Sequence, residues 1–413
     1  MGKLKKNFNL EEYNYFLPDE KIAKYPLEKR DNSKLLIYQN SEIISDFFYN
    51  IQNYFTEKIL IIFNDTKVIN ARILFEKETG SKIEIFCLEP IYPSDYYLAF
   101  SQKNKCSWKC FVGNNKKWKS GIVTRKININ EIEIILTATR ISEIGNSFEI
   151  EFSWNNPEIC FSEILNTIGE IPIPPYLNRN SEDIDKSRYQ TVYSKFEGSV
   201  AAPTAGLHFT KNILDNLKSK NNLIDNVTLH IGAGTFQPIK SNNISEHLMH
   251  REKFIISKST LQNIIENFGN ICAVGTTSVR TLESMYQIGN QIYKNGNINN
   301  NLFFISQFEA YDSKKNNVPP IEILKNLLSW MKKNNFSELH CETQIMIIPG
   351  YDFKIVNKII TNFHQPKSTL LLLISAFIGE KWEKIYDYAL KNDFRFLSYG
   401  DCCLLEINRE CLE

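Results

Sequence analysis

Between Arg188 and Thr210 the chain reads RYQTVYSKFEGSVAAPTAGLHFT, setting Arg188, Tyr189, Gln190, Tyr193, Thr204 and His208 among Gly198, Gly206, Pro203 and three alanines. Small and rigid residues let a backbone pass close to a bound molecule. Neither the 3.6-residue period of a buried helix nor the two-residue period of a strand is visible. The stretch reads as the wall of a site, with hydroxyl, amide, guanidinium and imidazole groups for hydrogen bonding and proton transfer.

Five further segments carry a similar density of reactive types. In ICAVGTTSVRTL an apolar run ends at Gly275, and Thr276, Thr277, Ser278 and Arg280 open what reads as a helix, a pocket for phosphate or carboxylate or simply a capped helix start. No GKS or GKT follows, so it is not a Walker loop. VTLHIGAGTFQPI places His230 at a strand end, followed by Gly232, Gly234 and Thr235, without the third glycine of a dinucleotide fingerprint. TNFHQPKST sets Asn362, His364, Lys367 and Ser368 just ahead of an apolar helix, where Ser368 suits an N-cap. FNDTKVINAR offers Asn64, Asp65 and Arg72, with Asp65 a base or a turn residue. FRFLSYGD adds Tyr399 and Asp401.

These groups need a scaffold, and 413 residues with 43% hydrophobic content supply one large or two medium domains. The longest apolar block, Leu370 to Ile378, is too short to cross a bilayer, and no apolar run follows the basic N-terminus. A cytoplasmic protein is expected. Nine irregularly spaced cysteines then read as reduced thiols, and Cys106 with Cys110 lacks the partners of a zinc site, so no metal is expected. A net charge of +1 argues against indiscriminate nucleic-acid coating. Even so, Lys103 to Lys126 holds eight basic and no acidic residues, interleaved with Trp108, Phe111 and Trp118, a solvated sheet face or a phosphate contact.

The expected fold class is α/β. From Val68 to Trp154 the pattern becomes six short β-type runs, VINARILF, SKIEIFCL, WKCFV, GIVTRKI, IEIILTATRI and SFEIEFSW, which suit a small antiparallel barrel. On either side α/β texture prevails, so the barrel reads as an insertion at 67–154 in a discontinuous catalytic domain, 1–66 and 155–413. Helices are expected over Leu261–Phe268 with Gly269 as C-cap, over Ile321–Met331 and over Thr369–Ile378. Asn290 to Asn301 reads as a polar surface loop.

Taken together, FNDTKVINAR, GEIPIPPYLNR, RYQTVYSKFEGSVAAPTAGLHFT, VTLHIGAGTFQPI, EHLMHREKF, AVGTTSVRTLES, IIPGY, TNFHQPKSTLLLLISAF and FRFLSYGD resemble the S-adenosylmethionine:tRNA ribosyltransferase-isomerase family of queuosine biosynthesis. They stand in the family's order and span nearly the whole chain. The resemblance implies an α/β domain carrying a six-stranded barrel. It also implies a reaction in which S-adenosylmethionine, a co-substrate, donates its ribosyl part to the aminomethyl group of a deazaguanine at the tRNA wobble position. Epoxyqueuosine forms, adenine and methionine leave, and no bound cofactor is required.

Such chemistry needs a base beside the sulfonium, a proton donor for adenine and a neutral amine nucleophile. His208, His230, His364 and Asp65 are the candidates, with their roles undivided. Arg280, Thr276, Thr277 and Ser278 would hold a methionine carboxylate or a tRNA phosphate, and Tyr176, Tyr189 and Tyr193 would stack on or bond the base. The partners expected are the anticodon loop of queuosine-type tRNAs and S-adenosylmethionine, bound by a monomer. About sixty residues between AVGTTSVRTLES and IIPGY exceed the family's expected length and read as an extension at the substrate entrance. Two other classes compete: an RNA methyltransferase, which would form S-adenosylhomocysteine, and a protein that only docks tRNA.

Overall fold

The computed structural model describes residues 9–129, 131–232, 244, 247–296, 303–312 and 318–407. Its backbone is a ten-stranded mixed sheet, ordered Phe303–Ile305, Glu338–Thr343, Glu252–Ser257, Leu223–Leu229, Leu60–Asn64, Ile271–Val274, Lys358–Asn362, Cys402–Glu406, Lys34–Gln39 and Glu42–Phe47. The middle strands from Leu223–Leu229 to Lys358–Asn362 run parallel. LIIFN and ICAV are buried at every position, as strands covered on both faces must be.

Alternate residues of these strands feed two cores. Leu60, Ile62 and Ala273 face helices Thr276–Asn295, Pro320–Lys333 and Thr369–Ile378. Ile61, Phe63, Cys272 and Val274 face Phe209 and helix Lys211–Ser219 on the other side. The expected helix at 261–268 begins earlier, at Lys258, because Ser257 Oγ caps Thr260 N at 3.0 Å. It ends at Glu266, so Gly269, with φ +97°, lies beyond its C-cap Asn267. Thr369–Ile378 stands as expected, with Ser368 Oγ accepting from Leu371 N at 3.1 Å.

The six expected β-runs form one antiparallel sheet, ordered Arg72–Glu76, Lys82–Tyr92, Lys105–Gly113, Ser147–Trp154, Ile132–Ile144 and Ile122–Ile129. It curls into a nearly closed barrel: Arg125 Nη1 from the last strand donates to Leu74 O of the first at 2.7 Å. Trp108 and Trp118 are fully buried in its core, so the aromatics among the lysines serve the barrel. Lys105, Lys109 and Lys126 pair with Glu151, Glu89 and Glu133, while Lys116, Lys117 and Lys119 are exposed around the short turn at 115–117.

The long segment before IIPGY is woven into the sheet rather than hung outside it. Phe303–Ile305 pairs in parallel with Glu338–Thr343, and Ile323, Leu324, Leu327 and Met331 are fully buried. The part of the Asn-rich loop at 297–301 lies outside the described residues.

Candidate active site

A cavity of about 180 Å³ opens at the carboxyl ends of the central strands, where open α/β sheets place ligands. Ile271–Val274 runs into Gly275, Thr276 and Thr277, and Lys358–Asn362 runs into 363–369; both turns line the cavity. Ala201 to Ala205 form the facing wall, as the small residues of that stretch suggest. Tyr176 and Tyr189 line it as well. Tyr176 OH bonds Ser398 Oγ, and Tyr189 packs edge-on to Tyr399 at 5.8 Å.

At the start of helix Thr276–Asn295 the backbone turns through Gly275 at φ +86°, a value that suits glycine. Arg280, one turn on, forms a buried ion pair with Glu252 and donates Nε to Ile345 O at 3.2 Å. Its Nη2 and the hydroxyl of Thr277 are buried without a hydrogen-bond partner among the described residues. Two unmet polar atoms in one wall mark a place for a polar ligand. Ser278 takes no part: its hydroxyl donates back to Val274 O at the end of the preceding strand at 2.7 Å.

On the opposite wall His364 Nε2 meets Thr361 Oγ1 at 2.9 Å, and burial pushes its pKa down to about 3, so the ring is neutral. Lys367, in the same turn, lines the cavity with its ammonium paired to Glu11 at 2.7 Å. Asn362 Oδ1 accepts from Thr204 Oγ1 at 2.9 Å, and its Nδ2 lies 3.1 Å from His208 Nε2. Both Asn362 and Thr204 line the cavity, whereas His208 is outside that lining.

His208 sits behind Asn362, its Nδ1 at 2.8 Å from Ser33 Oγ. Burial, helped by the charges of Arg395 and Arg30, pushes its pKa down to about 3. The other proton-transfer candidates are farther off. His230 stacks on Tyr96 of the barrel insertion with centroids 4.4 Å apart, its Nδ1 unpartnered and its pKa pushed by burial to about 4. Asp65 accepts from Thr228 Oγ1 at 2.7 Å, and its pKa is raised by burial.

Several expected binding residues hold the fold together instead. Asn64 is fully buried and bridges Leu229 N and O, both at 3.0 Å. Gln190 clamps Val68 N and O at 3.1 and 3.2 Å. Asp401 fixes Lys34 N at 3.0 Å and Arg395 N at 2.8 Å. Arg72 pairs with Glu84 at 3.0 Å within the barrel. Tyr193 packs edge-on to Phe63 at 4.5 Å. Arg188 and Tyr399 line a second, smaller cleft. A Cβ on Gly232 would meet open space, and Gly234 and Thr235 lie outside the described residues.

Glu252, His247 and His250 line the cavity and were not singled out from sequence. All fall in or beside EHLMHREKF, whose paired histidines and acid were the available signal. Among the described residues no group of three or more His, Cys, Asp or Glu is placed to hold a metal. No described helix is long and apolar enough to cross a membrane.

Known proteins align along almost the entire chain. The family described as queuosine biosynthesis protein matches residues 10–405. The S-adenosylmethionine:tRNA ribosyltransferase-isomerase of Trichlorobacter lovleyi is 36% identical over 96% of this chain and 99% of its own length. That of Buchnera aphidicola subsp. Schizaphis graminum is 38% identical over 97% of each chain. A crystal structure of S-adenosylmethionine tRNA ribosyltransferase from Thermotoga maritima is 26% identical, with 95% of this chain and 99% of that one covered at a TM-score of 0.45.

Proposed function

Because this chain belongs to the queuosine-biosynthesis family of S-adenosylmethionine:tRNA ribosyltransferase-isomerases, we propose that it moves and isomerises the ribosyl part of S-adenosylmethionine onto the aminomethyl-deazaguanine wobble base of tRNA. Epoxyqueuosine-tRNA forms, and adenine and methionine leave. The observation that carries this reading is the match of almost the whole chain to such enzymes, with residues of several of the quoted strings lining one cavity.

In that cavity S-adenosylmethionine is the co-substrate, and no resident cofactor is invoked. Arg280 Nη2 and Thr277 Oγ1, unmet beside a helix N-terminus, suit the methionine carboxylate. Glu252 balances the Arg280 charge, so the cavity wall carries no lone buried cation. Tyr176 and Tyr189 offer ring faces to a base.

Of the four proton-transfer candidates, His364 is the one that lines the cavity. Its neutral ring can accept a proton or hydrogen bond; a pKa near 3 makes it a weak base until the substrate alters its surroundings. His208 acts through Asn362 as a positioning residue. The barrel, taken as residues 67–154, would meet the RNA through exposed Lys116, Lys117 and Lys119. The protein is taken to work as a cytoplasmic monomer.

Incubation with S-adenosylmethionine and tRNA bearing the aminomethyl-deazaguanine tests the reading. Free adenine with a ribosyl-type mass gain is expected. A methyl mass gain with S-adenosylhomocysteine, or tRNA binding with no product, would sink it.

A further inference from the structure

Behind Asn362, on the side of His208, lies a cleft of about 20 Å³ lined by three arginines, Arg30, Arg188 and Arg395. Arg395 is neutralised, pairing with Asp401 at 3.2 Å. The other two are not. Arg30 donates to Gln190 O at 3.1 Å and Ser187 O at 3.5 Å, and Arg188 donates to Glu28 O at 2.9 Å and to Leu27 O. Carbonyls orient a guanidinium without cancelling its charge. Among the described residues neither arginine has a carboxylate at ion-pair distance. Asp31, the acidic neighbour of Arg30, instead accepts from Thr210 Oγ1 at 3.3 Å.

Like charges held together by backbone oxygens are costly without a counter-ion. Each guanidinium carries five N–H donors, of which these bonds occupy two, so each can still present a fork to an oxyanion. Both side chains are half-buried, within reach of solvent.

The cleft also adjoins the active cavity. Ser398 lines both, and His208, at the cleft, bonds Asn362, at the cavity. We propose that the cleft of Arg30 and Arg188 binds a backbone phosphate of the tRNA next to the nucleotide whose base enters the cavity. This rests on the tRNA reading above. It gives the anticodon strand a fixed point on the α/β domain itself, apart from the barrel.

The test is the salt dependence of tRNA binding between about 50 and 200 mM. Arg30→Gln should lower the slope of log affinity against log salt by about 0.7, which corresponds to about fourfold weaker binding at 0.15 M. Arg188→Gln should do the same, Arg30→Lys should keep the slope, and the KM for S-adenosylmethionine should stay unchanged in all three. With unaltered protein, an anticodon stem-loop RNA carrying one neutral methylphosphonate beside the target nucleotide should show the same loss, a reading that needs no variant to fold. Unchanged slopes in the glutamine variants, or no sensitive phosphate in the RNA, overturn the proposal. If wild-type protein releases no adenine from S-adenosylmethionine and tRNA, the functional reading fails instead.

Discussion

Asn362 Nδ2 donates to His208 Nε2 at 3.1 Å, and this one bond fixes a tautomer. Asn362 Oδ1 accepts from Thr204, so the amide nitrogen must point to the histidine. His208 Nε2 is then the acceptor, and its proton sits on Nδ1, donated to Ser33 Oγ at 2.8 Å. His208→Ala would leave one N–H of the buried Asn362 amide unmet, while the bonds to Asp401 O and Thr204 remain, costing about 1–3 kcal/mol of stability. It would also loosen the hold on Asn362, which would then rest on Thr204 and Asp401 alone. Stopped assays should show kcat falling up to about 10²-fold, with a far smaller change in the KM for S-adenosylmethionine. Equal losses in both would reduce His208 to a purely structural part.

The buried pair of Arg280 and Glu252 should behave as a unit. Removing one partner strands the other charge, a cost of about 3–5 kcal/mol. Arg280→Met and Glu252→Met should therefore each lower stability more than the double variant does, in urea unfolding. Glu252→Met should also alter S-adenosylmethionine affinity, because it leaves Arg280 with a full unpaired charge in the cavity wall. Additive losses in the double variant would contradict the coupling.

Three neutral histidines predict an acid-sensitive fold. Burial lowers His208 and His364 to about 3 and His230 to about 4. The unfolded chain, with histidine near its ordinary value of about 6.5, takes up protons first as pH falls. Stability is thus full above pH ~6.5 and declines toward the folded values, by roughly 1.4 kcal/mol per pH unit for each ring. His230→Phe should keep the stack on Tyr96 and lower the slope measured between pH 6 and pH 5 by up to about 1.4 kcal/mol per pH unit. A slope identical to wild type would show that His230 is protonated in the folded protein.

Gly206 tests the close packing of the cavity's outer wall. A Cβ there would stand 1.8 Å from Tyr193 OH, an impossible contact. That hydroxyl is buried without a partner among the described residues, so Tyr193→Phe removes the worst contact at little cost in hydrogen bonding, leaving the ring Cζ at 2.8 Å and the Thr191 methyl at 3.0 Å. Gly206→Ala alone should fold poorly, and Tyr193→Phe should recover part of the loss. Thermal melts of the four-member cycle decide it.

Trp118 separates barrel integrity from RNA contact. Fully buried, it should cost about 3–5 kcal/mol when replaced by alanine. Replacing Lys116, Lys117 and Lys119 together should leave the melting temperature near wild type and reduce the salt dependence of tRNA binding.

Much of this architecture is legible in the residues, and the part that is not has a physical cause. Alternation in IEIILTATRI and SFEIEFSW announces barrel strands, because period two survives burial of one face. Ala201 to Ala205 announce a wall because small residues have few other uses in such a run. What a linear string cannot separate is a polar side chain aimed at a ligand from one aimed at a backbone. Asn64, Gln190 and Asp401 are rich in hydrogen-bonding capacity, and they spend it on backbone groups of Leu229, Val68, Lys34 and Arg395. His364, in the loop after strand Lys358–Asn362, lines the cavity, whereas His208, at the end of the short helical turn Thr204–His208, backs it, a difference set by how distant segments pack and not by the local string.

The chain of bonds from Ser33 through His208 and Asn362 to Thr204 runs in one direction. Its last member has given away its only hydrogen. Whatever meets Thr204 in the cavity must therefore bring a hydrogen of its own: an amino group is welcomed, and a carbonyl of the same size sets lone pair against lone pair. The Asn362 amide, oxygen toward Thr204 and nitrogen toward His208, thus sets the hydrogen-bonding sense that the cavity wall presents.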